Sequence, residues 1–349
     1  MTKRHPETTG SRRPARPCFL VTIDTEGDNF WSRPREVTTR NTAFLPRFQA
    51  LCERYGFKPT WLTDWEMAHD PAFVEFARDA VRRGMAEVGM HLHAWNTPPD
   101  HPLTSDDFTH MPYLVEYPRE VMLRKIARMT QALALAFSSQ PVSHRAGRWA
   151  FNRTYARMLV EFGYKVDCSV TPHISWRGDL GVPHGRGGSD YRDFPESAYY
   201  LDLGDIRRPG DSPLLEVPMT VMVRAGWLRD ITPESLARTW PVRKALNRLA
   251  PRWWLRPDGR NLPALVSLLY HALREGRDYV MFMLHSSELM PGGSPTFPDV
   301  ESIERLYRQL DALFSLASGN FVGVTLREYH DRFAARRREA AASAGGEAP

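Results

Sequence analysis

The chain has 349 residues, of which 42% are hydrophobic and 25% are charged, as in an ordinary globular protein with ample material for a core. Its formal net charge of +5 is concentrated near the two ends, where we expect solvated tails. No DNA- or RNA-binding motif accompanies the charge, so nucleic acid is not an expected partner. No run approaches the roughly 20 continuous apolar residues that span a bilayer, and no secretory signal precedes the first strand.

The cysteines and the basic ends bear on location. Cys18, Cys52 and Cys168 form no CxxC pair and no even framework, which fits buried thiols in a reducing compartment. The sequence therefore predicts a cytoplasmic protein. Peripheral contact of the basic ends with an anionic lipid or an acidic glycan stays open beside the solvated tails.

Strands alternate with helices along nearly the whole chain. Residues 1–17 are basic and contain prolines, and we expect them to be disordered. Apolar runs predict strands at residues 18–24, 58–63, 86–93, 142–146, 165–170, 214–222, 278–285 and 321–325. Helical patterns lie at residues 42–55, 70–83, 118–137, 152–162, 233–249, 261–275 and 300–316, followed by a basic last helix. This alternation predicts a parallel sheet, and the strand number favours a barrel over an open sheet.

One long segment interrupts the alternation. Residues 171–213 are rich in Gly, Pro, Asp and Arg, and a loop of this length inside a compact domain is usually functional or disordered. Its aromatic residues argue against disorder, so we expect a lid or a wall of the active site.

Two histidines at the end of the third predicted strand are the centre of the functional interpretation. Within a strand, residues two apart point to the same face, so His91 and His93 can reach one metal ion. Two acids, Asp24 and Glu26, end the first strand with the same spacing. One carboxylate with two imidazoles leaves an open position for water, as in catalytic zinc sites, and frees the other carboxylate to act as a general base.

Two further strand ends carry polar side chains. Arg145 ends the strand at 142–146, where pairing with the base carboxylate would keep that carboxylate ionised. His285 ends the apolar strand at 278–285, and beside a metal site we interpret it as the general acid that protonates a leaving amine. In barrel enzymes the active site is built from the carboxyl ends of several strands in this way.

The ordered motifs TIDTE, EVGMHLH, HRAGRW and MFMLH resemble those of NodB-type polysaccharide deacetylases, and more closely their WalW-like branch. The resemblance covers the chain from Cys18 to about Tyr329. It implies an α/β fold, a distorted (β/α)₇ barrel in a single domain, with one divalent ion that we expect to be Zn²⁺. It also implies that Asp24 is the base, with Arg145 and His285 as further catalytic residues. The implied metal ligands are Glu26, His91 and His93.

The sequence departs from the family pattern at two positions. Thr25 separates two acids that are usually adjacent, and Trp95 stands where the second histidine is usual. His93 takes the place of that ligand in our interpretation. Which of Asp24 and Glu26 binds the metal stays open.

The expected function is a metal-dependent hydrolase that removes an N-acetyl or O-acetyl group from a surface polysaccharide or its sugar precursor. In the implied reaction, metal-bound water attacks the acyl carbonyl, and tryptophans such as Trp95, Trp149 and Trp176 stack on sugar faces. The alternative is an inactive carbohydrate-binding protein that kept the barrel, motivated by the departures at Thr25 and Trp95. The predicted domain covers residues 18–331 and includes the long active-site loop 171–213, with basic tails at 1–17 and 332–349.

Overall fold

The fold is organised around a curled sheet whose continuous path, in the described part of the chain, contains seven parallel strands. The computed structural model describes residues 16–223, 228, 232–237, 239–249 and 252–345. In sheet order the parallel strands are β10 (Tyr279–His285), β1 (Cys18–Thr25), β2 (Pro59–Thr63), β3 (Glu87–Leu92), β4 (Ser143–Ala146), β5 (Val166–Asp167) and β7 (Leu215–Glu216). Antiparallel β6 (Tyr199–Tyr200) adds to β7, and β11 (Val322–Gly323) pairs with β1. This arrangement confirms the predicted distorted (β/α)₇ barrel.

Alternation along the strands separates an outer from an inner face. In β1 the side chains of Phe19, Val21 and Ile23 belong to the apolar cluster that includes the surrounding helices. Leu20, whose side chain points to the opposite face of the strand, belongs to a second cluster inside the curled sheet. Because side chains of a strand alternate in direction, Asp24 shares the inner parity with Leu20. The polar residues at the strand ends therefore point into the barrel mouth.

The gap between β7 and β10 is spanned by irregular chain. The backbone N–H of Met281 donates to Oγ1 of Thr220 at 2.8 Å, so a side chain takes the place of a ladder hydrogen bond. The strand predicted over 214–222 is in fact two short strands, because Pro218 has no N–H to donate. An antiparallel pair leaves the barrel here, formed by β8 (Val221–Val223) and β9 (Arg252–Trp254).

Helices pack on the outer face, and no helix in the described ranges is both long and apolar enough to cross a bilayer. The helices are α1 (Leu45–Arg54), α2 (Trp65–Ala68), α3 (Pro71–Arg82), α4 (Asp107–His110), α5 (Arg119–Phe137), α6 (Arg153–Glu161), α7 (Glu234–Ala237), α8 (Trp240–Leu249), α9 (Leu262–Arg274), α10 (Val300–Asn320) and α11 (Leu326–Gly345). Helix α3 begins as the sequence predicts, since the Asp70 side chain accepts a hydrogen bond from the N–H of Ala72.

The ends of the chain are described in part. Residues 1–15 of the predicted N-terminal tail lie outside the described residues, whereas the Arg16 guanidinium donates to the carbonyl groups of Ser318 and Phe321. Helix α11 continues into the predicted C-terminal tail as far as Gly345.

The long loop 171–213 contains β6 and two isolated bridges. The domain boundaries stay predictions. All three cysteines are buried and unpaired.

Candidate metal centre

The carboxyl ends of four parallel strands bring the predicted site residues together at one mouth of the barrel. In the strand registers, Asp24 of β1 lies beside His285 of β10, and His91 of β3 lies beside Arg145 of β4. Glu26 and His93 follow β1 and β3 directly and keep the inner parity of those strands. All six predicted site residues therefore meet in one place, as expected for polar groups that follow parallel strands.

Glu26, His91 and His93 form a buried cluster that could hold a metal ion. Oε2 of Glu26 lies 2.9 Å from Nε2 of His93 and 3.6 Å from Nε2 of His91. One potential ligand atom from each of the three residues lies within 4.8 Å of the others. Two imidazole nitrogens and one carboxylate oxygen are a donor set that suits zinc. The two histidines, whose placement on one face was the central expectation, do lie on the same face.

The hydrogen bonding of His91 fits a metal ligand. Its Nδ1 lies 3.0 Å from the backbone carbonyl oxygen of Arg145, which can only accept a hydrogen bond. Donation from Nδ1 fixes the tautomer whose Nε2 lone pair faces Glu26, and metal-binding histidines are commonly oriented in this way. Burial lowers the pKa of His93, against the opposing effect of Glu26, so this ring also offers a neutral nitrogen near pH 7.

Asp24 is held by Arg145 on the side away from the cluster. Nη1 of Arg145 lies 2.5 Å from Oδ1 of Asp24, and Nη2 donates to Oγ1 of Thr22 at 2.8 Å. Oδ2 of Asp24 remains 3.9 Å from Nε2 of both His91 and His285. Burial by itself would raise the pKa of Asp24, but the charges of Arg145, His91 and His285 hold that pKa below its ordinary value. The carboxylate is thus ionised and available as a proton acceptor.

His285 lies close to the carboxylates of both Asp24 and Glu26. Its Nε2 is 3.9 Å from Oδ2 of Asp24 and 3.9 Å from Oε1 of Glu26. Its Nδ1 is 3.1 Å from Oε2 of Glu288, so a hydrogen bond from Nδ1 to this carboxylate sets the ring orientation. Burial and Arg256 act to lower the pKa of His285, but Glu26 and Glu288 outweigh them and leave the pKa raised. A raised pKa keeps a proton on His285 for transfer.

Several supporting residues were not predicted from the sequence. Arg256 donates to Oε1 of Glu288 at 2.9 Å, and Asn41 donates to the Glu26 carbonyl at 2.8 Å. Arg256 lies in an irregular segment and Asn41 in a short 3₁₀ helix, Arg40–Phe44, so no strand-end pattern marks either residue. Glu288 is the exception, because it follows the strand-end histidine at the spacing of a capping residue and the sequence therefore predicts that it orients His285.

Aromatic rings surround the mouth in two groups. Trp149 and Trp176 stack with their ring centroids 6.4 Å apart, and Trp254 contacts both edge-on. On the other side Phe30 contacts His93, and Trp31 contacts His285 edge-on at 5.4 Å. Trp95, whose ring centroid is 4.5 Å from that of His93, and Trp149, whose ring centroid is 5.0 Å from the Arg145 guanidinium, place the predicted sugar-stacking tryptophans at the mouth, and Trp31 joins them.

Several solved structures share this fold, although the sequence matches no protein-family model and no curated protein. A protein described as a polysaccharide deacetylase from Mycobacterium smegmatis is 15% identical, with 96% of each chain covered and a TM-score of 0.54. One described as a glycoside hydrolase/deacetylase from Parabacteroides distasonis is 12% identical, with 90% of this chain and 71% of that chain covered and a TM-score of 0.58.

A third similar structure is a GH57-type branching enzyme from the archaeon Pyrococcus horikoshii. It is 12% identical, with 91% of this chain and 70% of that chain covered and a TM-score of 0.51. At such low identity these likenesses concern the fold, and fold alone does not assign function. The chain has the distorted barrel fold that these carbohydrate-related proteins share.

Proposed function

We propose that the protein is a metal-dependent hydrolase that removes an acetyl group from a nitrogen or oxygen atom of a glycan. The observation that carries the proposal is the joint geometry of two neighbouring groups. Glu26, His91 and His93 cluster as one donor set, while Asp24 and His285 lie directly beside it, with Oδ2 of Asp24 3.9 Å from Nε2 of both His91 and His285. Metal-assisted acyl hydrolysis requires both parts: ligands that hold the ion, and a base and an acid that transfer protons.

In this proposal Glu26, His91 and His93 hold one divalent ion, with Zn²⁺ favoured by the donor set. When bound, such an ion lowers the pKa of water and polarises the acyl oxygen. Asp24 accepts the proton of the attacking water because Arg145 keeps its carboxylate ionised. His285 donates its proton to the departing nitrogen or oxygen of the sugar.

The geometry supports one assignment of the two acids, which the sequence left open, and we propose it here. Glu26 is the ligand because Oε2 contacts both imidazoles, at 2.9 and 3.6 Å. Asp24 is the base because its Oδ1 is taken by Arg145, while Oδ2 faces the cluster from 3.9 Å. Thr25, the residue that separates them, is buried and donates to the Ile23 carbonyl at 3.0 Å, so the strand accommodates the insertion.

Glycoside hydrolysis or transfer would use the site differently. Those reactions need two carboxylic groups that flank the scissile bond, one of them as an acid. Here Glu26 contacts two histidines and Asp24 contacts an arginine, so neither is arranged to donate a proton. The histidine pair therefore favours a metal-dependent deacetylase over a branching-type activity.

The finer features of the proposal rest on the sequence alone, partly on the resemblance and partly on cysteine usage and charge. They are a place in the WalW-like branch, a surface polysaccharide or its precursor as substrate and a cytoplasmic location. Peripheral contact with an anionic lipid or glycan through the basic ends belongs to the same group of proposals.

Elemental analysis and an acetate-release assay test the central proposal together. The purified protein, reconstituted with Zn²⁺, should hold about one equivalent of the ion and release acetate from N-acetylated oligosaccharides. Glu26→Gln, His91→Ala and His93→Ala should each lose the ion, whereas His69→Ala, at an exposed histidine, should keep it. Protein that holds no divalent ion and releases no acetate would overturn the proposal. Sugar binding that is unaffected by a metal chelator and persists in His91→Ala would support the inactive carbohydrate-binding alternative instead.

A further inference from the structure

Trp31 is a large aromatic side chain that remains exposed at the mouth of the site. It lies in a short 3₁₀ turn, Phe30–Ser32, after β1, and 47% of its surface is accessible. Trp61, by comparison, is completely buried. An exposed indole beside a buried polar centre is a feature of binding surfaces, because burying it on a ligand removes a large apolar area from water.

The Trp31 ring is held in place from two sides. Its Nε1 donates to Oγ of Ser287 at 3.2 Å, and its edge meets the ring of His285 at 5.4 Å with an interplanar angle of 77°. The turn that carries it is closed by a hydrogen bond from Oγ of Ser32 to the Asn29 carbonyl at 2.8 Å. A platform held in this way loses little conformational freedom when a ligand stacks on it.

The three tryptophans on the other side of the mouth are arranged differently. Trp149, Trp176 and Trp254 pack against one another, so each already has aromatic partners. Among the described residues, Trp31 is the tryptophan that contacts the proposed proton donor and still presents much of its surface to solvent. Because His285 is the proposed proton donor to the leaving group, Trp31 beside it lies on the leaving-group side in that proposal.

We infer that Trp31 is a sugar-binding platform, on which a pyranose ring of the leaving-group side stacks next to His285. The inference rests on the proposed function for its orientation and extends it to the substrate class. The substrate is an oligosaccharide or polysaccharide, and contacts beyond the acetylated group contribute to its binding. Trp31 is a specificity-determining residue that does not take part in proton transfer.

Calorimetric titration with tetra-N-acetylchitotetraose, on the Zn²⁺-loaded and on the chelated protein, tests the platform directly. Aromatic contacts of about 0.5–1.5 kcal/mol correspond to changes of roughly two- to twelvefold, so Trp31→Ala should weaken binding by about tenfold. Trp31→Phe should weaken it less. Trp240→Ala, at a tryptophan that is 65% exposed outside the site, should leave binding unchanged.

Steady-state kinetics separate the platform from the chemistry. With the oligosaccharide, Trp31→Ala should raise KM by about tenfold with little change in kcat. With 4-nitrophenyl acetate, which has no sugar, its kcat/KM should equal that of the wild type. A lower kcat with the oligosaccharide at an unchanged KM would show that Trp31 acts through His285, and an equal loss on both substrates would show a general disturbance of the site. Either result would overturn the platform.

The two proposals fail in different ways. If oligosaccharide binding depends on Trp31 but no acetate is released with any metal, the proposed hydrolase activity is wrong and the sugar-binding role of Trp31 is supported. If acetate is released and the KM of Trp31→Ala is unchanged, the sugar-binding role of Trp31 is wrong and the proposed hydrolase activity is supported. Absence of oligosaccharide binding in the wild-type protein would also count against the platform.

Discussion

The Arg145 guanidinium binds the Asp24 carboxylate deep in the barrel mouth, with Nη1 and Oδ1 2.5 Å apart and both side chains almost completely buried. The same guanidinium reaches Thr22 through Nη2, while the Arg145 backbone carbonyl accepts from His91. One residue thus orients both the proposed base and a proposed metal ligand. This relationship links the stability of the core to the chemistry of the site.

Removing Arg145 should therefore cost stability as well as activity. Arg145→Gln leaves Asp24 as a buried charge without its partner, and breaking a buried pair in this way costs about 3–5 kcal/mol. We expect the free energy of unfolding, measured by urea denaturation at pH 7, to fall by that amount. The double variant Asp24→Asn/Arg145→Gln should recover part of the loss, because no unpaired charge remains. If the double variant is as unstable as the sum of the single ones, the pair is not coupled.

Gly147 should be required for the metal cluster, because it leaves the space in which the His93 ring lies. A Cβ at this position would fall 2.7 Å from Nδ1 of His93 and 2.5 Å from the Leu92 carbonyl oxygen. Gly147→Ala should therefore displace His93 and reduce Zn²⁺ affinity by about 10–100-fold, the range for lost supporting contacts at metal sites. Competition with a chromophoric chelator measures the affinity.

The matched control is Gly178→Ala, because a Cβ at Gly178 meets nothing within 4 Å. Its Zn²⁺ affinity should equal that of the wild type. An unchanged affinity in Gly147→Ala would show that His93 does not bind the ion.

The sequence predicts the strand ends well because strand geometry is local. The two-residue spacing of His91 and His93, and of Asp24 and Glu26, is enough to place each pair on one face. Parallel strands then bring those faces together at one edge, as the structure shows. The distorted barrel follows from the same alternation of strands and helices.

The remainder of the site depends on long-range packing that no local pattern encodes. Arg256 reaches Glu288 from an irregular segment that follows β9, 32 residues earlier in the chain. Asp167, a buried residue of β5, binds His144 of the neighbouring strand β4, with 2.5 Å between Oδ1 of Asp167 and Nδ1 of His144. Trp31 is one of ten tryptophans, and only the fold distinguishes it from the buried ones.

Glu288 should make the stability depend on pH in the acid range. Burial would raise the pKa of this carboxyl, but the charges of Arg256 and His285 lower it from 4.5 to about 2. Because the folded pKa is the lower one, its stabilisation is present above pH 4.5 and is lost as the pH falls towards 2. The shift corresponds to about 3 kcal/mol.

Glu288→Gln should accordingly reduce the free energy of unfolding at pH 7 by about 3 kcal/mol. The difference in the free energy of unfolding between Glu288→Gln and the wild type should narrow as the pH falls from 4.5 to 3. Urea denaturation at each pH measures it. Glu304→Gln removes an acid that is exposed and pairs with Arg47 at the surface, so its effect should be small at every pH. A Glu288→Gln deficit that is constant across this range would contradict the assignment of the lowered pKa.

His285 should matter for a poor leaving group and much less for a good one. Its Nε2 lies 3.9 Å from both Asp24 and Glu26, on the side where the departing atom must receive a proton. A sugar amine leaves only when protonated, and general acid catalysis contributes about 10²–10⁴-fold. His285→Gln should reduce acetate release from an N-acetylated oligosaccharide by such a factor. The hydrolysis of 4-nitrophenyl acetate should fall far less, because nitrophenolate leaves without a proton.

The comparison between the two substrates separates this role from that of a metal ligand or a structural residue. Loss of the ion would lower both activities together, and so would a general loss of structure. Elemental analysis should find the same Zn²⁺ content in His285→Gln as in the wild type, because the clustered donors are Glu26, His91 and His93. If the amide and ester activities fall equally while the ion is retained, His285 positions the substrate or the carboxylates and does not donate the proton.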